Sequence, residues 1–408
     1  MPRVMQIHLP RLQLPKVVAR RLIRPTGEGP WRYVRRPELV RRHTLVTPLR
    51  SGHEAFPSML AAIRSARRAI HFEMYIVRDD RVGQDFRDAL VERARAGVEV
   101  RMMYDAVGSL GLADSFFEPL RATGGRTAIY NPVAPWRRRS GMSSLNQRDH
   151  KKILVVDGQV GFTGGINLGL EYESKEAGGG GWHDWHARLE GPAVHELMIS
   201  FRRTWTKATE ERLPEPVVPA PSLGRNVLGA QVVDNTGVRS RWRMHRAYLH
   251  AIAAARTDIS ILNAYFIPQR SLRRAFGKAA ERGVSVRVIV PSDSDVQAVH
   301  HASRYLYRRL LSAGMRIFEW PESMMHAKAG IIDGVWSTIG SYNLDHRSLV
   351  HNLEVSLVCI DVPLAAKLQR EFELDVARCR EITLADVEAL SRWDSFKDWF
   401  WYQLRSQL

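Results

Sequence analysis

His150-Lys151-Lys152-Ile153-Leu154-Val155-Val156-Asp157-Gly158 runs on to Gly164-Gly165-Ile166-Asn167-Leu168. It returns 176 residues later as His326-Ala327-Lys328-Ala329-Gly330-Ile331-Ile332-Asp333-Gly334, running on to Gly340-Ser341-Tyr342-Asn343-Leu344. Histidine, lysine, aspartate, glycine, asparagine and leucine recur at that one offset, with no insertion or deletion between the copies. The apolar run behind each lysine, 153–156 or 330–332, reads as a buried strand with histidine and lysine at its start. Residues two apart on an extended strand share a face, so His150 and Lys152 are aimed one way, as are His326 and Lys328. A charged motif repeated this rigidly implies a two-fold site.

Outward from the motif the repeat continues. Residues 59–68 read as a helix, 69–77 as a strand, 83–96 as a helix stopped by Gly97, and 98–104 as a strand. The second half answers with 248–256, 259–267, 272–282, Gly283 and 284–290. Each half then has a further helix, a glycine and an edge strand ending in proline, at 127–132 and 316–321. Alternating strands and helices argue for α/β sheets in both halves, packed so that the two motifs meet. A proline-dense stretch, 213–221, reads as a stiff linker. The predicted organisation is a basic arm over 1–43, a first domain over 44–212, a linker over 213–226, a second domain over 227–375 and an aromatic segment over 376–408.

Composition narrows the partners. The 408 residues carry 60 Lys plus Arg against 43 Asp plus Glu, a formal charge of +17, which favours nucleic acid, anionic lipid or phosphorylated substrates. Hydrophobic residues make up 45% and charged residues 25%, ordinary globular usage, so disorder is not the default. Two cysteines, Cys359 and Cys379, cannot build a disulfide framework or a cysteine-based metal site, and fit a reducing compartment. No apolar run long enough to span a membrane and no signal-peptide pattern are present.

Two imidazoles that titrate near neutrality, two ammoniums and the amides of Asn167 and Asn343 suit an anionic substrate and call for no metal or cofactor. Phosphoryl oxygens are the natural target, because lysine and amide donors stabilise the charge that develops on them. One histidine can attack phosphorus while the other protonates the leaving oxygen and later deprotonates the acceptor.

His-x-Lys-x-x-x-x-Asp followed by a glycine-rich turn and asparagine, present twice, resembles the phospholipase D superfamily. The likeness extends from about Thr44 to about Asp375. The segments 261–268 and 340–345, with Asn352-Leu353-Glu354, are similar to the bacterial cardiolipin synthases, in particular the short type without membrane spans. The resemblance implies two tandem phospholipase D-like α/β domains with pseudo-two-fold symmetry and one shared active site. It also implies a metal-independent reaction through phosphohistidine, with His150 and His326 as nucleophile and acid/base. Lys152, Lys328, Asn167 and Asn343 would hold the phosphate, while Asp157 and Asp333 would support the motif rather than react. An acid downstream of each motif would orient an imidazole: Glu354 in the second half, and in the first Asp184, chosen over Glu171, Glu173 and Glu176.

Phosphatidyl transfer between two phosphatidylglycerols is the leading expectation, with a phospholipase D hydrolase or a nuclease-type phosphodiesterase as alternatives. A non-catalytic lipid-binding protein is disfavoured by two intact motifs, nucleic acid is the less favoured partner, and the oligomeric state is open. The expected location is peripheral, on the cytoplasmic face of a bacterial inner membrane. The arginine-rich arm reads equally as frayed or as lying on an anionic surface. Trp136-Arg137-Arg138-Arg139 reads as a solvated charge run or a phosphate-recruiting rim. His183 and His186, like His300-His301, read as ordinary fold residues rather than metal ligands. The aromatics from Trp393 to Leu408 either dock on the core or enter a bilayer interface.

Overall fold

The computed structural model describes residues 28–133, 146–237 and 240–407. In the first half the chain runs β1 (Leu45–Arg50), α1 (Ser51–Ser65), β2 (Ala69–Met74), α2 (Arg81–Arg95), β3 (Glu99–Asp105), α3 (Glu118–Ala122) and β4 (Arg126–Tyr130). It continues with β5 (Ile153–Val156), β6 (Val160–Gly164), β7 (Trp185–Glu190) and α4 (Val194–Thr209). The second half opens with β8 (Gly229–Asp234), α5 (Arg243–Ala254), β9 (Asp258–Asn263), α6 (Arg270–Glu281), β10 (Ser285–Pro291), α7 (Gln297–Arg304) and α8 (Tyr307–Ser312). Next come β11 (Met315–Trp320), β12 (Lys328–Ile332), β13 (Trp336–Gly340), α9 (His346–Val350), β14 (Val355–Ile360) and α10 (Val362–Arg378). The chain closes with β15 (Arg380–Ile382), α11 (Leu384–Glu388) and α12 (Arg392–Gln403).

Among the described residues these strands form a sheet of seven, in the order β1-β7-β6-β5-β2-β3-β4, and one of eight, β15-β11-β10-β9-β12-β13-β14-β8. Removing β15 leaves two sheets that match strand for strand. In both, the three strands β2, β3, β4 or β9, β10, β11 run parallel and the motif strand joins them antiparallel. The fold is therefore two α/β sheets of one topology. One expectation fails: β11 is not an edge, because β15 pairs with it and covers its open backbone groups.

Every residue of β5 and of β12 is buried, since both faces of each sheet are covered. Ile153 and Val155 face a central core together with Ala329 and Ile331 of the other sheet, and α4 and α10 contribute Phe201, Trp205, Leu368 and Phe372 to it. Leu154 and Val156 turn to the outer core of the first half, beside Phe72 and Phe86. Each fully buried Ile, Val or Leu in such a layer stabilises the fold by about 1.5–3 kcal/mol. The shared central layer is what holds the two motif strands at a fixed separation.

Asp157 and Asp333 sit at the tight turns after β5 and β12, both at positive φ (53° and 51°) with a positive-φ glycine following. That is the Asp-Gly hairpin signal. The Asp157 carboxylate accepts the backbone N–H groups of Arg67, Arg68 and Ala69, and the Asp333 carboxylate those of Arg256, Thr257 and Asp258. Burial opposes ionisation of both, yet these N–H groups, preceded at Asp333 by the Tyr33 hydroxyl, hold both carboxyls below their usual range. Each aspartate lies seven residues along the chain from its histidine, about 20 Å in extended backbone, at the far end of the motif strand.

The described part of the N-terminal arm is packed rather than frayed. Tyr33 is buried and donates to Asp333 at 2.6 Å, while Arg41 pairs in backbone with Ala230. Residues 1–27, and with them half of the arm's arginines, lie outside the described residues, as does Trp136-Arg137-Arg138-Arg139. Between α4 and β8 the chain has no helix and, before β8, no strand beyond the Thr44–Val227 bridge.

Candidate active site

The two motif strands begin side by side with segments of the opposite half. His150 N donates to Leu353 O at 2.9 Å and Leu353 N to Arg148 O at 2.8 Å. In the same way His326 N donates to His183 O at 2.7 Å and His183 N to Met324 O at 3.0 Å. These short parallel bridges bring the residue after Leu353, and the residue after His183, against the neighbouring imidazole. The carboxylates therefore cross: His150 Nδ1 meets Glu354 Oε2 at 3.0 Å, and His326 Nδ1 meets Asp184 Oδ2 at 2.7 Å. Each histidine is oriented by an acid from the other half, which spacing along the chain does not reveal.

Both carboxylates are themselves held. Glu354 also accepts from the hydroxyls of Ser341 and Ser348 and from the Asn352 amide. Asp184 accepts from Trp185 N at 2.7 Å, and its backbone carbonyl accepts from Ser51 N, which ties it to the start of α1. Gly165 allows this closeness, since a Cβ there would fall 2.2 Å from Asp184 Oδ1. Burial raises the Asp184 carboxyl, against the pull of Lys328 and the Trp185 N–H.

The lysines complete the cluster. Lys152 Nζ donates to His150 O at 2.8 Å, and Lys328 Nζ to His326 O. All four motif side chains are buried, and each imidazole feels the charge of both lysines. Burial lowers His150 to about 4, with Glu354 opposing, and drives His326 well below its usual value. Burial likewise brings Lys152 down to about 7 and Lys328 to about 8. The imidazoles are thus neutral at rest. With Nδ1–H committed to a carboxylate, Nε2 keeps its lone pair.

Asn167 donates to the Tyr172 hydroxyl at 2.6 Å, and that oxygen lies 3.3 Å from His326 Nδ1. Asn343 takes the equivalent place, and its buried amide oxygen has no hydrogen-bond partner among the described residues. Sequence reasoning missed the aromatic lining: Tyr75 stands edge-on to His150 with centroids 4.8 Å apart, and Tyr172, Trp182 and Tyr265 surround His326. The strands end at Met74 and Asn263 rather than at 77 and 267, which leaves Tyr75 and Tyr265 just beyond them. Beyond those points the backbone turns to frame the site, with Ile76 N bonding to the Asn167 side chain instead of a neighbouring strand. His183 also has a specific place, its Nε2 meeting Asp375 at 2.8 Å and its ring stacking on Trp320.

Comparison with known proteins agrees with this geometry. The family described as cardiolipin synthase, phospholipase D-like domain, matches residues 59–175 and 248–376, one match around each motif. Cardiolipin synthase of Halalkalibacterium halodurans is 34% identical over 357 residues, covering 87% of this chain and 68% of the relative. That of Geobacillus kaustophilus is 36% identical over 345 residues, covering 83% and 67%. The chain thus spans about two thirds of the length of these relatives. Among solved structures, phosphatidylserine synthase of Haemophilus influenzae shares the fold, with a TM-score of 0.67 at 14% identity over 89% of this chain and 95% of that one. Two matched domains, sheets of one topology and a shared histidine-lysine cluster place the chain in the phospholipase D-like cardiolipin synthase family.

Proposed function

We propose that the protein transfers a phosphatidyl group from one phosphatidylglycerol to another, releasing glycerol and forming cardiolipin through a phosphohistidine. The observation that carries this is the crossed pair: two neutral imidazoles, each with Nδ1 bound to a carboxylate from the other half, between two lysines. One Nε2 attacks phosphorus as the bond to the glycerol oxygen breaks, and the carboxylate behind it stabilises the positive charge the ring acquires. The bound phosphodiester supplies the negative charge that lets the second imidazole take up a proton, which it gives to the departing oxygen. The acceptor hydroxyl then returns that proton and displaces the histidine. Lys152 and Lys328, with Asn167 and Asn343, would hold the non-bridging oxygens.

The substrate lies in a membrane, and the C-terminal helix supports peripheral contact with one. Asp398 and Tyr402 turn inward, Asp398 to Arg304 and His301, Tyr402 onto the ring of Tyr305. The opposite face leaves Trp393 66% exposed, Phe396 49%, Trp399 46% and Phe400 43%. The aromatic segment thus both docks on the core and presents an apolar surface of the kind that settles in a bilayer interface. The face proposed for that contact is the cytoplasmic one, in keeping with Cys359 and Cys379, which are not bonded to each other.

Purified protein incubated with phosphatidylglycerol vesicles should yield cardiolipin and glycerol, and His150→Ala and His326→Ala should each abolish both products. Phosphatidic acid without cardiolipin would make the protein a hydrolase and overturn the transfer reading.

A further inference from the structure

The mouth of the site is chemically polarised. On the His326 side, the Tyr265 ring lies 6.4 Å from the imidazole, and its hydroxyl donates to both oxygens of Asp295, at 2.8 and 2.9 Å. Asp295 belongs to the loop between β10 and α7 and is exposed. On the His150 side the matching ring is Tyr75. The carboxylate that acts on it, Asp105 at the end of β3, is buried against Arg148, and the other cation acting on the Tyr75 hydroxyl is Arg347.

Four carboxylates favour the charged form of Lys328: Asp184, Asp295, Glu354 and Asp345. Three are buried and satisfied within the fold, whereas Asp295 faces solvent, where a ligand can reach it. A carboxylate accepts about four hydrogen bonds. Tyr265 and, at 3.4 Å, Ser294 use part of that capacity. A carboxylate with acceptor capacity to spare suits a group rich in hydroxyls.

The next step rests on the phosphatidyl-transfer reading. In that reaction the departing glycerol and the headgroup of the accepting lipid are the same chemical group. They must also occupy the same place, because the imidazole that protonates the one deprotonates the other. We propose that Asp295 binds this polyol, its carboxylate accepting hydrogen bonds from the free hydroxyls of a glycerol headgroup beside His326, so that glycerol-type acceptors are selected over simple alcohols. His326 is then the acid/base and His150 the nucleophile. The bond from phosphorus to His150 Nε2 forms as the bond to glycerol oxygen breaks, with the His326 proton passing to that oxygen. In the second half, the acceptor hydroxyl gives its proton to His326 while its oxygen replaces Nε2 on phosphorus.

The test is a competition. Phosphatidylglycerol vesicles are incubated with the full-length protein in a mixture of labelled glycerol and ethanol, and transfer to each alcohol is measured. Asp295→Asn should lower the glycerol-to-ethanol partition about tenfold or more, the loss of a charge-assisted hydrogen bond, and cardiolipin yield should fall relative to phosphatidylethanol. Tyr265→Phe leaves the carboxylate in place, so its partition should stay on glycerol. An unchanged partition in Asp295→Asn overturns the proposal. So does an equal shift in both variants, since Asp295 would then serve merely to hold the tyrosine. A wild type that makes neither alcohol product sinks the transfer reading, and this proposal with it. A wild type that makes both, with a partition insensitive to Asp295, sinks this proposal alone.

Discussion

The two halves of the site carry the same reacting groups on different foundations. Behind His150 and Lys152 stand Arg148, Asp149, Lys151 and, on the paired strand, Glu73; at the matching positions behind His326 and Lys328 stand Met324, Met325, Ala327 and Leu262. Lys151 Nζ meets Glu73 at 2.8 Å with both side chains fully buried, and also reaches the Ser200 and Thr204 hydroxyls. In the second half the same volume is filled with hydrocarbon. The orienting acids differ too: Glu354 is bound by two serine hydroxyls and an amide, Asp184 by a backbone N–H beside a glycine. The chemistry constrains the residues that face the substrate, whereas the layer behind them has two solutions, one ionic and one apolar.

The largest effect should come from breaking the crossed carboxylates. Glu354→Gln or Asp184→Asn preserves shape but removes the acceptor that fixes Nδ1–H, and each should cut turnover by about 10³–10⁴-fold, as loss of such an orienting acid does elsewhere. The crossing makes a sharper demand: nitrogen NMR of the imidazoles should show His326 perturbed by Asp184→Asn and His150 by Glu354→Gln. Perturbation of the histidine in the same half would contradict the geometry.

Next in size is the foundation itself. Glu73→Leu leaves Lys151 charged in a dry interior, and breaking a buried pair in this way costs about 3–5 kcal/mol. Replacing the ionic layer of the first half by an apolar one, with Glu73→Leu, Asp149→Met and Lys151→Met together, removes the stranded charges and should recover most of that loss. Urea midpoints at constant m-value report the difference. A triple variant no more stable than Glu73→Leu would show that the ionic layer cannot be exchanged for an apolar one.

The strand-by-strand repeat was legible because motif spacing and hydrophobic period survive in both copies, and the reacting residues because they recur in register. Other features are products of the third dimension. Nothing along the chain joins Glu354 to His150, since the link is a pair of backbone bonds between segments about 200 residues apart. Lys151 and Lys152 look alike in sequence, yet one turns to Glu73 and the other to the His150 carbonyl, beside the paired imidazoles. Tyr265 and Asp295 come from two separate loops, and neither loop has a pattern that announces the other.

The smallest effect separates those two neighbouring lysines by pH. Burial opposes the charge on Lys151, but Glu73 and Asp149 outweigh it and raise the group above its ordinary value, so Lys151 stays charged throughout the neutral range. Lys152 and Lys328, lowered to about 7 and about 8, lose their protons one after the other as pH rises. Binding of glycerophosphoglycerol, a soluble diester whose single charge does not change in this range, should weaken from pH 7 to 9, by up to about tenfold per unit for each lysine beyond its own value. Lys152→Met should remove the lower step and Lys328→Met the upper. Folding should respond in the opposite sense. An unfolded lysine keeps its proton to about pH 10.4, so between pH 7 and 10 the unfolded chain binds more protons than the native one, and these two lysines make stability rise with pH. An affinity that stays flat from pH 7 to 9 would remove Lys152 and Lys328 as the groups that hold the phosphate.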